Sequence, residues 1–292
     1  MKRVERTFIP GSNWLYYKIY TGDSTADRIL SNQLYKTIIR LKPYYDKFFF
    51  IRYADPEFHI RLRFYVLEQQ SLASVILGMD KILEPLLKDK SIWKVQLDTY
   101  NRELERYLPH LIEEAESLFY VDSKYSLAIL NHLNKTGIEK YRWIISFKMV
   151  DSLLEDFGLS LEQKNNLLAA LDSGYKREFG FNIHNSTQFN TEYRKHSPDI
   201  NAVIEGKIEE DGVVKLYKLL ENRTKELKPI VSKIIGVAKP NELSSLLMSY
   251  IHMMLNRLFV SSNRKYELLI YNFLSRYYTS CLARMKYNKI QI

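Results

Sequence analysis

Phe48-Phe49-Phe50-Ile51-Arg52-Tyr53-Ala54-Asp55-Pro56-Glu57-Phe58-His59-Ile60-Arg61-Leu62-Arg63-Phe64 is the stretch on which the reading of the fold turns. Two runs rich in aromatic and β-branched residues flank Asp55-Pro56, a turn-forming pair, so the segment reads as two strands joined by a turn. The triple phenylalanine places this pair centrally in a sheet. Side chains alternate across a strand, which puts His59, Arg61 and Arg63 on one face and Ile60, Leu62 and Phe64 on the core face. Same-face neighbours lie about 6.5–7 Å apart. Two guanidiniums and an imidazole at that spacing repel unless something anionic lies between them. A carboxylate substrate, a neighbouring Asp or Glu, or water would each serve.

Working outward, residues 14–20 (Trp-Leu-Tyr-Tyr-Lys-Ile-Tyr) read as another strand, broken at Thr21-Gly22-Asp23. Asp23 or Ser24 can cap a following helix whose apolar positions are Leu30, Leu34, Ile38 and Leu41. A helix over 72–87 and a strand over 93–100 come next. From Pro109 onward apolar spacing turns helical, over 111–118, 126–134, 140–157 and 161–171. Residues 179–199 are polar and include Ser197-Pro198, which predicts a loop ordered on contact. Helical patterns resume over 213–237, 243–258, with Asn241 as N-cap, and 264–284. The expectation is an α+β fold in one domain, 1–292. An antiparallel-rich sheet within about 1–108 packs with a large helical part, about 109–292, and the last helices return to the sheet.

The 292 residues carry 46% hydrophobic residues and few glycines and prolines, as expected for a chain with a substantial core. A single cysteine, Cys281, excludes internal disulfides and Cys-based zinc sites, and its apolar setting predicts a buried thiol. The N-terminal Met1-Lys2-Arg3-Val4-Glu5-Arg6 leads to no apolar core of a signal peptide, and no run approaches the roughly 20 apolar residues of a membrane span. A soluble cytoplasmic protein is the expectation. The net charge of +9, spread along the chain, favours an anionic partner. No nucleic-acid-binding signature accompanies it, so direct nucleic-acid binding is not required.

Two further segments place polar groups on apolar elements. In Tyr100-Asn101-Arg102-Glu103-Leu104-Glu105-Arg106-Tyr107 a helical turn would put Glu103 and Arg106 on one face and Arg102 beside Arg106, as a surface ion pair or as part of a site. In Ser249-Tyr250-Ile251-His252-Met253-Met254-Leu255-Asn256-Arg257-Leu258-Phe259, His252 and Asn256 lie one turn apart. A hydrogen-bonded core histidine and a general acid/base are both open readings of His252. The histidines lack metal-ligand spacing and arginines repel cations, so neither a metal nor another cofactor is expected.

Taken in order, strand 14–20, the Arg52-Tyr53-x-Asp55-Pro56-x-x-His59-x-Arg61-x-Arg63 run, the Glu103-x-x-Arg106-Tyr107 motif and the His252 segment resemble the C-terminal elimination domain of class I lantibiotic dehydratases. The resemblance covers nearly the whole chain. The same domain stands alone in thiopeptide-type bacteriocin biosynthesis proteins. In the full-length family a larger domain transfers glutamate from glutamyl-tRNA to Ser or Thr of a precursor peptide. The smaller domain then eliminates glutamate to give dehydroalanine or dehydrobutyrine. This chain has no room for the larger domain, so the resemblance implies a split system with a separate glutamylation protein. A precursor peptide is the substrate, a cyclase is a further partner, and a homodimer is an open option.

By that resemblance Arg61, Arg63 and Arg106 would bind the glutamyl group or the charge developing in the reaction. His252 would be the acid/base. Glu103 would orient Arg106 or handle a proton, while Arg52, His59 and Asn256 would bind substrate. Leu108-Pro109 stands where the family pattern has Gly-Gly. Standalone relatives that join two dehydroalanines in a formal [4+2] cycloaddition give a second reading, and a non-catalytic peptide-binding partner a third.

Overall fold

The computed structural model describes residues 4–290, so Met1 to Arg3 of the basic N-terminal stretch lie outside the described residues. In chain order the elements are β1 (Thr7–Phe8), β2 (Trp14–Thr21), α1 (Asp23–Arg28), a π-helical turn (Ile29–Leu34) and α2 (Tyr35–Leu41). After a 3-10 turn come β3 (Lys47–Tyr53), β4 (His59–Tyr65), α3 (Ser71–Lys88), β5 (Ile92–Asp98), β6 (Tyr100–Asn101) and α4 (Leu104–Tyr107). The helical part comprises α5 (Ile112–Thr136), α6 (Tyr141–Asp156), α7 (Leu161–Glu178), α8 (Ile183–Ile204), α9 (Asp211–Val237), α10 (Pro240–Leu258) and α11 (Asn263–Ile290). This is the expected α+β fold. No helix among the described residues is long and apolar enough to cross a membrane.

The sheet runs β3-β4-β2-β5, antiparallel throughout, while β1 pairs with β6 in a two-stranded ribbon. Both strands of the opening stretch form, but only β4 is central; β3, which carries the triple phenylalanine, is an edge strand whose burial comes from helices packed on it. Ile60, Leu62 and Phe64 are fully buried in the common core. The outer edge of β3 is closed by side chains. Phe50 N–H donates to Ser123 Oγ (3.2 Å) on α5, and Arg257 Nε on α10 donates to Phe50 O (2.9 Å). Arg52 N–H and C=O both bond the Asn256 amide of α10. Through these bonds α10 returns to the sheet, whereas α11 packs chiefly on α7.

The polar stretch 179–199 is not a loop but most of α8. Asn182 caps that helix reciprocally with Asn185, and Pro198 lies within it. Tyr193 and Phe189 pack on Phe273, supplying an apolar stripe thinned by polar residues. Two predicted caps also shift. Gly22, not Asp23 or Ser24, precedes α1. At α10, Lys239 is the N-cap and Asn241 lies inside the helix, with the Glu242 side chain accepting from Lys239 N–H (2.8 Å). Cys281 is half-buried where a buried thiol was expected.

Candidate active site

The face bearing the arginines is set by strand register. Its rungs are Phe49–Arg63–Tyr16, Ile51–Arg61–Lys18 and Tyr53–His59–Tyr20. Repulsion along β4 is relieved by aromatic rings, with no anion interposed among the described residues. The Arg61 guanidinium carbon lies 3.4 Å from the Tyr53 ring centroid. That of Arg63 lies 4.2 Å from Tyr16, 4.8 Å from Tyr100 and 5.1 Å from Phe49. The negative ring faces attract each cation. His59 carries no charge in this arrangement. Its Nε2 accepts from Arg61 Nε (3.1 Å), and an arginine can only donate, so the ring proton sits on Nδ1 and donates to Glu57 C=O (2.7 Å). Burial pushes the His59 pKa down, and the charges of Arg61, Lys18 and Arg63 act in the same direction.

Arg63 is buried, and its Nε has no hydrogen-bond partner among the described residues. Burial lowers its pKa, and Glu103 is the carboxylate whose charge opposes that fall. Asp98, on the same face, is ion-paired with Lys18, which holds its carboxyl below the usual range. No carboxylate among the described residues lies within ion-pair distance of Arg61 or Arg63. A dehydrated Arg63 and a half-buried Arg61, both held on rings without an ion-paired carboxylate, are suited to receiving an anion from a ligand.

Beside this face, α4 presents Glu103 and Arg106 as an exposed ion pair (3.5 Å). Arg106 Nε also donates to Ser249 Oγ (3.1 Å) on α10, three residues before His252 and so on the same side of the helix. Leu108, directly after α4, has φ +65°, a conformation that favours glycine. The chain turns there as a Gly-containing pattern would allow, and Arg106 still reaches α10. Arg102 does not neighbour Arg106 in a helix. It lies before α4, buried and clamped bidentately by Glu116 (2.7 Å for each bond).

His252 Nδ1 is 2.9 and 3.0 Å from the two oxygens of Glu267 on α11. Glu267 is fully buried and accepts further bonds from the hydroxyls of Tyr175 and Tyr271. A carboxylate that only accepts requires Nδ1 to donate, which leaves Nε2 of the neutral ring able to take a proton. His252 lines a cavity of about 660 Å³ together with Tyr53, Phe58, Phe179, Asn256 and Arg264. Tyr53 belongs to both places, since its ring also cushions Arg61.

The expected substrate-binding residues Arg52 and Asn256 have scaffold uses. Arg52 Nη2 bonds Asp27 (2.6 Å), which also takes Arg142 (2.7 Å), and Arg52 Nε bonds Arg257 C=O (3.2 Å). Burial alone would raise the Asp27 carboxyl, but the Arg142 and Arg52 guanidiniums outweigh it and hold it low. Sequence reasoning missed Glu267, Ser249, Tyr16 and Tyr53. Glu267 alone left a trace, as an acid at a core position three and four residues before buried Ile270 and Tyr271.

The family model for the C-terminal region of lantibiotic biosynthesis dehydratases matches residues 14–278, and the chain belongs to this family. It is 28% identical to the subtilin biosynthesis protein SpaB of Bacillus subtilis over 179 residues, covering 60% of this chain and 17% of SpaB. To the epidermin biosynthesis protein EpiB of Staphylococcus epidermidis it is 24% identical over 289 residues, covering 92% of this chain and 27% of EpiB. The chain thus spans less than a third of these relatives. The tRNA-dependent lantibiotic dehydratase MibB from Microbispora sp. 107891 shares the fold, with TM-score 0.74 and 20% identity over 95% of this chain and 29% of MibB. So does TbtD, a pyridine synthase from thiomuracin biosynthesis, with TM-score 0.64 and 11% identity over 92% of this chain and 99% of TbtD.

Proposed function

We propose that the chain is the elimination component of a lantibiotic-type dehydratase, acting on a peptide whose Ser or Thr carries a glutamyl ester. The observation that carries this reading is the pair Arg61 and Arg63, held on aromatic rings without an ion-paired carboxylate among the described residues. In the reaction the Cα–H bond breaks and its proton passes to a base. The Cβ–O bond breaks, a Cα=Cβ double bond forms, and glutamate leaves as a carboxylate. Negative charge develops on the peptide carbonyl and on the leaving group, and Arg61, Arg63 and Arg106 supply fixed positive charge to it. His252, its Nδ1 turned to Glu267 and its Nε2 left to take a proton, is the proton acceptor, and Glu103 orients Arg106. Arg52, Asn256 and His59 support the site through the scaffold and the charge balance of the strand. A separate glutamylation protein, a precursor peptide and a cytoplasmic setting complete the proposal.

The test is direct. Purified protein is mixed with a synthetic peptide bearing a glutamylated serine, and loss of glutamate mass is followed. Elimination that disappears in His252→Ala and Arg63→Ala, with peptide binding retained, is the expected result. Binding without elimination favours a peptide-delivery role and sinks the lyase. The pyridine-forming cycloaddition draws on the likeness to TbtD over nearly all of that chain. It requires turnover of a peptide already bearing two dehydroalanines.

A further inference from the structure

Behind His252 lies a chain of hydrogen bonds that reaches the rim of the cavity. His252 Nδ1 bonds Glu267 on α11. Glu267 accepts from the Tyr175 hydroxyl of α7, and the Tyr175 oxygen accepts from Arg264 Nη1 (2.5 Å), whose other arm is ion-paired with Glu178. The guanidinium carbon of Arg264 also lies 4.1 Å from the Tyr175 ring centroid. Tyr271, one helical turn after Glu267, gives the same carboxylate a second hydroxyl at 3.1 Å, and its ring meets that of Tyr175 edge-on at 5.2 Å. Burial and the Glu267 charge push both phenols up, so both remain donors. Arg264 itself lines the cavity that contains His252.

We propose that Tyr175 is a positioning residue for the site: with Arg264 behind it, its hydroxyl fixes the Glu267 carboxylate, and through it the ring orientation and tautomer of His252. This rests on the reading of His252 as the proton acceptor. A carboxylate bonded only by imidazole would draw the proton to the ring strongly and keep it cationic, which is unproductive for a base. Donation by Tyr175 and Tyr271 shares out the negative charge of Glu267 and so weakens its pull on the His252 proton. The other charged groups lining the cavity with His252 are Arg264, Lys265 and Arg52 as cations and Asp23 as an anion. The tyrosine-to-phenylalanine change tested below alters none of them.

Nitrogen-detected NMR of histidine-labelled full-length protein reads the tautomer and titration of His252 without any turnover, the signal being assigned by its loss in His252→Gln. In the parent, the neutral ring carries its proton on Nδ1. In Tyr175→Phe, which keeps the ring packing, the titration midpoint moves up by about half a unit to one unit, and the pH profile of elimination moves with it. Tyr271→Phe, which removes the second hydroxyl from Glu267 and no charge from the cavity, shifts the midpoint in the same direction and keeps the test alive if Tyr175→Phe does not fold. An unmoved or lowered midpoint in both variants overturns the proposal. A raised midpoint in a protein that eliminates nothing upholds the hydrogen-bond chain and rejects the lyase reading alone.

Discussion

The side-chain amide of Asn256 closes two hydrogen bonds with the backbone of Arg52, accepting from its N–H and donating to its C=O, each at 2.9 Å. One residue of a helix thereby stands in for a neighbouring strand along the edge of β3. Asn256→Ala leaves both strand groups without partners in a half-buried setting, at a cost of about 1–3 kcal/mol. Urea unfolding measures this as a lower midpoint at constant slope. Because His252 is one turn away on α10, elimination falls as well.

Arg63 predicts a conflict between stability and function. Its charge is buried among Tyr16, Phe49 and Tyr100 with no anion beside it, and burial disfavours that charge. Arg63→Met keeps length and apolar contact while discarding the desolvated cation. The melting temperature therefore holds or rises, whereas turnover drops by about a hundredfold or more, the scale for losing one preorganised charge. A variant that melts lower and retains turnover contradicts both halves.

His59 gives the fold a pH dependence of definite sign. Its folded-state pKa lies below the ordinary 6.5, chiefly through burial. As pH falls, the unfolded chain takes up this proton first. The stability from neutral His59 is therefore complete above about 6.5 and is lost as pH drops toward its folded value. Asp27, with its carboxyl held low by Arg142 and Arg52, loses its share only as pH falls below about 4. Unfolding midpoints of the parent and His59→Asn, compared from pH 7.5 to about 3, separate the two windows. The variant is flatter between about 6.5 and 5 and tracks the parent in slope above that range.

Ser249 offers a milder probe, since its hydroxyl bonds a partly exposed Arg106. Removing it changes stability by less than about 1 kcal/mol. The guanidinium gains freedom it must lose again on binding substrate, and kcat/KM for the glutamylated peptide falls by about threefold to tenfold. Circular dichroism melting and steady-state kinetics on Ser249→Ala check the two statements together.

The strand pair was legible because its two faces differ so sharply: Ile60, Leu62 and Phe64 are buried where alternation placed them. The partners of Arg61 and Arg63 were not legible. Tyr16, Tyr53 and Tyr100 come from three other strands, and only register, not local pattern, decides which rings lie beside which arginine. Helix α8 escaped notice because Asn, Ser and Thr dominate its exposed face and Ser197-Pro198 imitates a break. Its stabilising contacts come from α6, through Trp143 and Lys148, and from Phe273 on α11, all distant along the chain. Glu267 was hidden by being a single acid on the apolar face of a long, otherwise basic helix, its purpose evident only once His252 lies against it.

The hydrogen bonds between Arg52 and Asn256 join residues 204 positions apart, and His252 and Glu267 come later in the chain than almost everything else they serve. At synthesis rates of about 5–20 residues per second, roughly 10–40 s separate the appearance of the two ends of that contact. Throughout that interval the arginine strand exists without its histidine, and the edge of β3 lacks the bonds that Asn256 and Arg257 supply. On the proposed function, the strand and the helix that act together meet only after the 204 positions between Arg52 and Asn256 have been made.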